Sequence, residues 1–393
     1  MNSASAPKLK WDIFCNVVDN FGDIGVCWRL ACNLASRGIW VRLWVDDVSP
    51  LAWMAPHGHP SVEVIDCKNG LPNDQDHVLG DVLVDTFDCK FAINLIAIQA
   101  VNTLATAENG TVFEKNQQKS PPVWLNLEYL TAESFAERAH TLPYVHRSGA
   151  AQGWTQRYFY PGFNERTGGL LIETDLFERQ KTFDRATWLN QVLDSNQLSF
   201  SESTTYISLF CYEPTALEAL IDQLATRESP TCLLVTAGRA TAAVKILLEH
   251  KKHQNSAYLL PEQLSILYIP QLTQTDFDHL LWSCDLNFVR GEDSLVRAIW
   301  AAKPFIWQIY PQHDGAHHAK LDAFLAMMDA PESLKTAHIA WNASALELEI
   351  DPHMPRFPSL DLLNWAQSAE NLSNKLRLQA DLASNLIAFT ALG

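Results

Sequence analysis

The chain has 393 residues, of which 47% are hydrophobic and 19% charged, and its formal net charge is −16. This length predicts two domains, each with a core of its own, and the composition argues against disorder. Nucleic-acid-binding and membrane-surface proteins carry a basic patch or stripe, so the acidic balance argues against both classes.

The first residues do not resemble a secretory signal, because their apolar run is short and is interrupted by Asp12. No run of about 18 apolar residues appears, so we predict no transmembrane helix and expect a cytoplasmic protein. The eight cysteines form no CxxC pair and lie mostly in apolar segments. Buried free thiols are therefore expected, rather than disulfides or a zinc site.

Apolar runs alternate with helical patterns in the first half of the chain. A strand is predicted over residues 11–18, a turn over 19–23 and a helix over 26–37. Further strands are predicted over residues 41–45, 62–66, 82–86 and 123–126. This alternation is typical of a parallel sheet covered by helices, and we assign residues 1–175 to a first Rossmann-like domain.

A second alternating series follows an interdomain segment at residues 176–205. Its predicted strands cover residues 206–210, 232–237, 264–269, 286–289 and 305–308. The second doubly wound domain spans residues 206–362, and a helical run follows over 363–393. Two facing domains of this α/β kind, with a central cleft at the strand ends, match the GT-B plan.

An acidic turn, DNFGDIG, follows the first strand and opens the first helix. The carboxylates of Asp19 and Asp23 would repel a diphosphate, so this turn is expected to face a cation or a hydroxyl group. A structural alternative stays open, in which Asp23 only caps the helix and Asn20 makes an Asx turn.

The segment RGEDS marks a second strand-to-helix junction. Free amide groups and the helix dipole favour an anion there, and Arg290 and Ser294 could add donors to a diphosphate. Glu292 is better suited to ribose or sugar hydroxyl groups, and Asp293 lies near the predicted helix start. The alternative is a capping box beside a surface arginine.

Aromatic residues recur at the predicted strand ends of the second domain. Phe210 and Tyr212 follow one strand, whereas Gln274 and Phe277 follow another. Stacking on such rings, with an amide to contact a base edge, would suit a pyrimidine, although core packing is the alternative.

Histidines at positions 313, 317 and 318 could bind a metal ion, but a solvated helix start explains them better. No GxGxxG, GxSxG, HExxH or Walker loop appears, so other enzyme classes lack support.

The chain resembles the family of bacterial protein-arginine rhamnosyltransferases that modify elongation factor P. The resemblance lies in four strings, WDIFCNVVDNFGDIGVCWRLA, NLEYL, YFYPGFNERTGGLL and FVRGEDSLVRAIWAAKPFIWQIYPQ, which span both predicted domains. It implies a GT-B fold, in which the helical run over 363–393 crosses back to the first domain, and an inverting, metal-independent enzyme without a cofactor. The implied donor is dTDP-β-L-rhamnose, and the implied acceptor is one arginine of elongation factor P, which the modification activates for translation through polyproline stretches.

The resemblance also implies roles for individual residues. Asp23 would be the catalytic base with Asp19 as its neighbour. The donor would be bound by Phe210, Tyr212, Gln274, Phe277, Arg290, Glu292, Asp293, Ser294 and Tyr310. One position departs from the family pattern, because Gln271 stands where an aromatic residue is expected.

Two carboxylates suit an arginine acceptor, because they can grip the cationic guanidinium, orient it and accept its proton as the new bond forms. Two other functions stay open from the residues alone. One is a GT-B glycosyltransferase or nucleotide-sugar epimerase acting on a small molecule, and the other is a protein that binds nucleotides without turnover.

Overall fold

The computed structural model describes residues 9–18, 21–70, 79–89, 122–149, 151–194, 197–311, 316–350 and 356–391. Asp19, Asn20 and His313 lie outside these ranges. Contacts divide the chain into two compact units. Unit 1 comprises Met1–Leu176 with Gln379–Gly393, and unit 2 comprises Phe177–Leu378.

Unit 1 is built on a seven-stranded sheet with the strand order β3-β2-β1-β4-β5-β7-β6. Its elements are β1 (Lys10–Cys15), α1 (Gly22–Ser36), β2 (Trp40–Val45), α2 (Leu51–Met54), β3 (Val62–Asp66), β4 (Val82–Thr86), β5 (Val123–Leu127), α3 (Ser134–Ala139), β6 (Pro143–Val145), β7 (Thr155–Phe159) and, near the carboxyl terminus, α14 (Leu382–Ala391). Neighbouring strands are parallel except for the antiparallel edge pair β6–β7. The carboxyl ends of the parallel strands therefore share one edge of the sheet.

The central strands of unit 1 are buried because helices cover them, and their near-continuous apolar sequences reflect this. Asp12 is a buried exception within β1. Its carboxylate accepts two hydrogen bonds from the Arg42 guanidinium, at 2.6 Å each, and one from the Trp44 indole at 3.0 Å. This bidentate arrangement satisfies a buried charge and joins β1 to β2.

Unit 2 is built on a five-stranded parallel sheet with the strand order β10-β9-β8-β11-β12. Its elements are α4 (Leu176–Thr182), α5 (Arg185–Asp194), β8 (Thr205–Leu209), α6 (Leu217–Ala225), β9 (Thr231–Val235), α7 (Arg239–Gln254), β10 (Leu264–Tyr268), α8 (Gln274–Ser283), β11 (Leu286–Arg290), α9 (Gly291–Ala301), β12 (Phe305–Gln308), α10 (Ala316–Met328), α11 (Glu332–Asn342), α12 (Ala345–Ile350) and α13 (Leu362–Leu376). The strand order reverses between β8 and β11, and the ends of such neighbouring strands form the usual ligand site of doubly wound sheets.

The limits of the units differ from the predicted domain boundaries at two places. Almost all of the predicted interdomain segment belongs to unit 2, because Trp188, Leu189 and Leu193 of α5 are buried in its core. The return to unit 1 begins at Gln379 rather than at residue 363, because α13 packs on α9 of unit 2.

The last helix, α14, packs on α1 in unit 1. Arg37, at the carboxyl end of α1, donates hydrogen bonds to Asp381 at 2.7 Å and to Ser384 at 2.6 Å. These charged contacts, together with buried Leu382 and Leu386, explain why the carboxyl-terminal residues belong to unit 1.

Each cysteine is a free thiol and all but Cys32 are buried, which confirms the prediction. Burial raises the pKa of Cys211 to about 12, so this thiol stays protonated.

Among the helices in the described ranges, none has both the length and the apolar character needed to cross a bilayer.

Candidate active site

Asp23 lies in the first turn of α1, beside the carboxyl end of β1. Its side chain is only 4% exposed, and its Oδ2 accepts a hydrogen bond of 2.8 Å from the backbone N–H of Val18. The N-cap of α1 is Phe21, and no side chain caps the helix. Asp23 is therefore not the N-cap residue of α1. It lies within the helix, and its carboxylate binds the backbone of the loop that precedes the helix.

Asp46, at the carboxyl end of β2, fixes the start of the same loop. Its Oδ1 accepts a hydrogen bond of 2.8 Å from the N–H of Val17, and its Oδ2 accepts one from the side-chain amide of Asn16. Two carboxylates thus hold successive parts of the segment that leads into the predicted acidic pair. Asp19 lies outside the described residues, so its pairing with Asp23 stays a prediction.

The carboxyl ends of β4 and β5 add aromatic and acidic side chains to this edge of the unit 1 sheet. Phe87 stacks on Tyr129 with ring centroids 4.3 Å apart and an interplanar angle of 12°. Glu128, between the two strand ends, accepts a hydrogen bond of 2.8 Å from Asn126. Burial raises the pKa of the neighbouring Asp85 to about 7.

In unit 2, Arg290 ends β11 and Gly291 begins α9 with a φ of 68°. This left-handed conformation favours glycine and turns the chain sharply from strand into helix. The Ser294 hydroxyl accepts a hydrogen bond of 3.0 Å from the Arg290 N–H and donates one to the Arg290 carbonyl oxygen. Ser294 therefore stabilises the turn, and its contact with a diphosphate stays a prediction.

The Arg290 guanidinium is buried against two aromatic rings. Its Cζ lies 4.6 Å from the ring centroid of Phe210 and 4.5 Å from that of Tyr212. Its Nη1 donates a hydrogen bond of 3.3 Å to the carbonyl oxygen of Cys211. These contacts fix a planar cation beside the first turn of α9, where the backbone N–H groups already favour an anion.

Tyr212 packs against both arginines of this edge. The ring is 2% exposed and is covered by Arg290, by Arg239 and, edge-on at 5.7 Å, by Tyr310. The ring thus supports the guanidinium groups, and its contact with a base stays a prediction. Tyr310 itself is 45% exposed and can meet a ligand.

The half-buried ring of Phe210 meets Phe277 edge-on, with centroids 5.3 Å apart. Gln274 lies three residues before Phe277 in the first turn of α8, so the amide and the ring share one helix face. These three residues stay the predicted base pocket, whereas Gln271 is exposed just before the helix.

Glu292 and Asp293 occupy the first turn of α9 and are both half-buried. The Nζ of Lys320, on α10, donates a hydrogen bond of 2.6 Å to Glu292 Oε1. A fixed ammonium offsets part of the repulsion between this carboxylate and a nearby phosphate.

Sequence patterns alone did not reveal Arg239, Glu213 or Lys320. The dipeptide Gly238-Arg239 stands at a strand-to-helix junction, as Arg290-Gly291 does. This pairing of glycine with arginine at both junctions is a signal that could have identified Arg239. Nothing in the spacing of α10 distinguishes Lys320 from other surface lysines.

Within the described ranges, no group of three or more His, Cys, Asp and Glu side chains could hold a metal ion. His317 is buried and His318 pairs with Glu347 of α12, whereas His313 lies outside the described residues.

A family model described as "Elongation-Factor P (EF-P) rhamnosyltransferase EarP" matches residues 11–391. A protein-arginine rhamnosyltransferase from Pseudomonas aeruginosa is 37% identical, over 97% of this chain and 99% of the relative. Another from Neisseria meningitidis serogroup B is 32% identical, over 81% of this chain and 78% of the relative.

A solved structure concerned with EarP-mediated arginine glycosylation of translation elongation factor EF-P is 28% identical, with a TM-score of 0.59. The similarity covers 98% of this chain and 100% of that one. Arabidopsis thaliana UGT89C1 complexed with UDP-L-rhamnose is 12% identical, covers 98% of this chain and 99% of its own, and has a TM-score of 0.51. The latter likeness concerns the fold alone, which is the predicted GT-B fold of two α/β units with parallel sheets.

Proposed function

Because the chain belongs to the elongation factor P rhamnosyltransferase family and is therefore a protein-arginine glycosyltransferase, we propose a specific reaction for it. The enzyme transfers L-rhamnose from dTDP-β-L-rhamnose to one arginine side chain of elongation factor P, with inversion at the anomeric carbon. The modification activates the factor for translation through polyproline stretches. The observation that carries the proposal is the buried Arg290 guanidinium, fixed by two aromatic rings at the start of α9.

The donor half of the reaction belongs to unit 2. The diphosphate of the donor is negatively charged, and its departure from the sugar increases that charge. Arg290 and the N–H groups of the first turn of α9 stabilise that charge without having to reorganise. Tyr310, which is accessible beside Tyr212, can donate its hydroxyl proton in a hydrogen bond to the same group.

The acceptor half belongs to Asp23. A free arginine is a poor nucleophile, because its guanidinium is protonated and delocalised, with a pKa above about 12. The carboxylate binds the cation and orients one nitrogen, and it accepts a proton from that nitrogen as the C–N bond forms. At the same time the bond between the anomeric carbon and the diphosphate oxygen breaks, so a single attack from the opposite face gives inversion.

Asp23 suits this role because its carboxylate is held in one position. Its hydrogen bond from Val18 and its place in the first turn of α1 hold one oxygen, while the helix dipole favours negative charge there. Asp19, as the neighbouring carboxylate, would share the grip on the guanidinium. Both the sugar and the acceptor are supported by the descriptions of the relatives, which name arginine, rhamnose and elongation factor P.

The test is the intact mass of purified elongation factor P after incubation with this protein and dTDP-β-L-rhamnose. We expect the gain of one deoxyhexose, located on a single arginine by peptide fragmentation. NMR of the modified arginine should show the α-anomer. dTDP-glucose serves as the matched donor control and should yield much slower transfer.

Two outcomes would contradict the proposal. The release of dTDP and free rhamnose without any gain of mass on the factor would mean that water, and not the factor, accepts the sugar in this mixture. Tight binding of dTDP-rhamnose without turnover, under any acceptor supplied, would favour a protein that only binds the nucleotide.

A further inference from the structure

Arg239 stands where β9 gives way to α7, at the same edge of the unit 2 sheet as Arg290. It is the first residue of α7, after Gly238 with a φ of 92°. Because β9, β8 and β11 are neighbours in the sheet, their carboxyl ends bring Arg239, Tyr212 and Arg290 together. Arg239 has no role in the proposed donor site described above.

The two arginines share one aromatic ring. The Cζ atoms of Arg239 and Arg290 lie 4.8 Å and 4.5 Å from the ring centroid of Tyr212. The two guanidinium groups are therefore within about 10 Å of each other, a span that two adjacent phosphates can bridge. Tyr212 is fixed in turn, because its N–H donates a hydrogen bond of 2.8 Å to Gln308 Oε1.

Glu213 holds the Arg239 side chain in place. The guanidinium donates to the carboxylate through Nε at 2.7 Å and also through Nη2, a bidentate pair. The hydrogen bond from Arg239 lowers the pKa of Glu213, with a smaller contribution from the charge of Arg290. A guanidinium has five N–H donors, so one fork to a carboxylate does not exhaust its capacity.

We propose that Arg239 is a second donor-binding arginine. It contacts the second (β) phosphate of the nucleoside diphosphate, and Glu213 and Tyr212 hold it in position. Its side chain is 39% exposed and that of Glu213 is 55% exposed, so a ligand can reach this end of the site. Arg290, which is 6% exposed, lies deeper. This assignment rests on the proposed function, because it extends the same donor site.

The assignment predicts discrimination between nucleotides. A nucleoside diphosphate would meet both guanidinium groups, whereas a monophosphate is too short to engage the second one. Loss of Arg239 should therefore weaken the binding of dTDP far more than that of dTMP. A role in folding alone would weaken both ligands alike and lower the melting temperature.

The experiment is calorimetric titration of the full chain with dTDP and with dTMP. For Arg239→Gln we expect a Kd for dTDP that is about 10-fold higher, as befits one charge-assisted hydrogen bond, and a change of less than about twofold for dTMP. Arg239→Lys should restore part of the dTDP affinity. The matched control is Lys251→Met, which removes another ion-paired cation from the far end of α7 and should change neither value.

Equal dTDP affinity in Arg239→Gln and in the wild type would overturn the role of Arg239 and leave the proposed function intact. An equal loss for dTDP and dTMP would also overturn it, since the second phosphate would then not be the group that is contacted. A wild type that binds no dTDP would instead refute the proposed donor, and the role of Arg239 with it.

Discussion

The two units have the same kind of parallel sheet but carry opposite charges at its carboxyl edge. In unit 1 this edge bears the carboxylates of Asp23, Asp46 and Glu128. In unit 2 it bears the guanidinium groups of Arg290 and Arg239, packed on aromatic rings. The difference shows that the α/β architecture supplies only a place for ligands, whereas the residues at the strand ends decide the charge of the ligand.

The helices that start at these edges make the comparison sharper. Both α1 and α9 have acidic residues in the first turn, where the helix dipole favours them. In α9 the carboxylate of Glu292 accepts a hydrogen bond from Lys320, and buried Arg290 precedes the helix. Two cations, Lys320 and Arg290, thus offset the negative charge of the acidic residues at the start of α9.

Replacement of Asp23 by asparagine should have the largest effect on transfer. The amide keeps the size of the side chain but cannot accept the proton, so the rate of rhamnose transfer should fall about 1,000-fold. Binding of dTDP, which belongs to unit 2, should stay within about twofold. Initial rates come from the mass of modified elongation factor P, and affinities from calorimetry.

The control for this variant is Asp66→Asn, which removes an exposed carboxylate from the carboxyl end of β3 in the same sheet. It should transfer at the wild-type rate. Full activity in Asp23→Asn would remove Asp23 from the mechanism. Equal losses of activity in both variants would mean that the total negative charge of this edge matters, and not Asp23 in particular.

Replacement of Arg290 by lysine should have the next largest effect. Lysine keeps the charge but loses the planar contact with Phe210 and Tyr212 and the fork of donors, so kcat/KM for the donor should fall about 100-fold. The affinity for dTDP should fall with it, unlike in Asp23→Asn.

The matched control is Arg185→Lys. Arg185 also lies over aromatic rings of unit 2 and forms an ion pair with Asp285, but Asp285 precedes β11 and so marks the amino edge of the sheet. We expect normal dTDP affinity for this variant. If Arg290→Lys and Arg185→Lys lost affinity for dTDP alike, the carboxyl edge of the unit 2 sheet would not be the specific site of nucleotide binding.

The strands near the predicted sites were recognisable because they are buried on both faces and therefore read as apolar runs. The strands β6 and β7 escaped prediction. β6 is the edge strand and has only three residues, all exposed. β7 (TQRYF) has three polar residues followed by two aromatic ones, so it does not read as an apolar run. β7 pairs with β5, and β6 pairs with β7, and local sequence does not encode these tertiary contacts.

The candidate site was predictable in part for the same reason. Arg290 and Asp23 stand at strand-to-helix junctions, which sequence patterns locate. The packing of two guanidinium groups on the ring of Tyr212 depends on which strands become neighbours. The ion pair between Lys320 and Glu292 joins residues 28 positions apart on different helices.

Replacement of Lys320 by methionine should have a smaller effect than either change above. The ion pair with Glu292 is 18% exposed on each side, so water screens part of it. Without the ammonium, the Glu292 carboxylate repels the donor diphosphate more strongly, and kcat/KM for the donor should fall about 10-fold. Steady-state rates measured with varied dTDP-rhamnose check this.

The double variant Lys320→Met with Glu292→Gln tests the reason. If the two residues act on the donor through their ion pair, the effects of the single changes should not add. Additive losses would show that Lys320 contacts the donor independently of Glu292. Lys251→Met is again the control for the loss of one surface ammonium.

Replacement of Asp85 by asparagine should have the smallest effect on transfer, within about twofold, but it should change how stability depends on pH. Burial raises the pKa of Asp85 from 3.8 to about 7 in the folded state, so the folded chain keeps a proton that the unfolded chain has lost. The stability that this proton contributes is complete below about pH 4 and is lost as the pH rises through about 7. The wild type should therefore melt at a lower temperature at pH 8 than at pH 5.

An asparagine at this position is neutral at every pH, and its amide oxygen can still accept the hydrogen bond that Cys89 N–H donates to Asp85 Oδ1 at 2.7 Å. The difference in melting temperature between pH 5 and pH 8 should thus shrink by about 5 °C, since each kcal/mol shifts the melting temperature by a few degrees in a protein of this size. Asp66→Asn, which removes an exposed carboxylate from the same sheet, is the control. An unchanged difference in Asp85→Asn would mean that the ionised Asp85 carboxylate is tolerated at the carboxyl edge of unit 1 despite its burial.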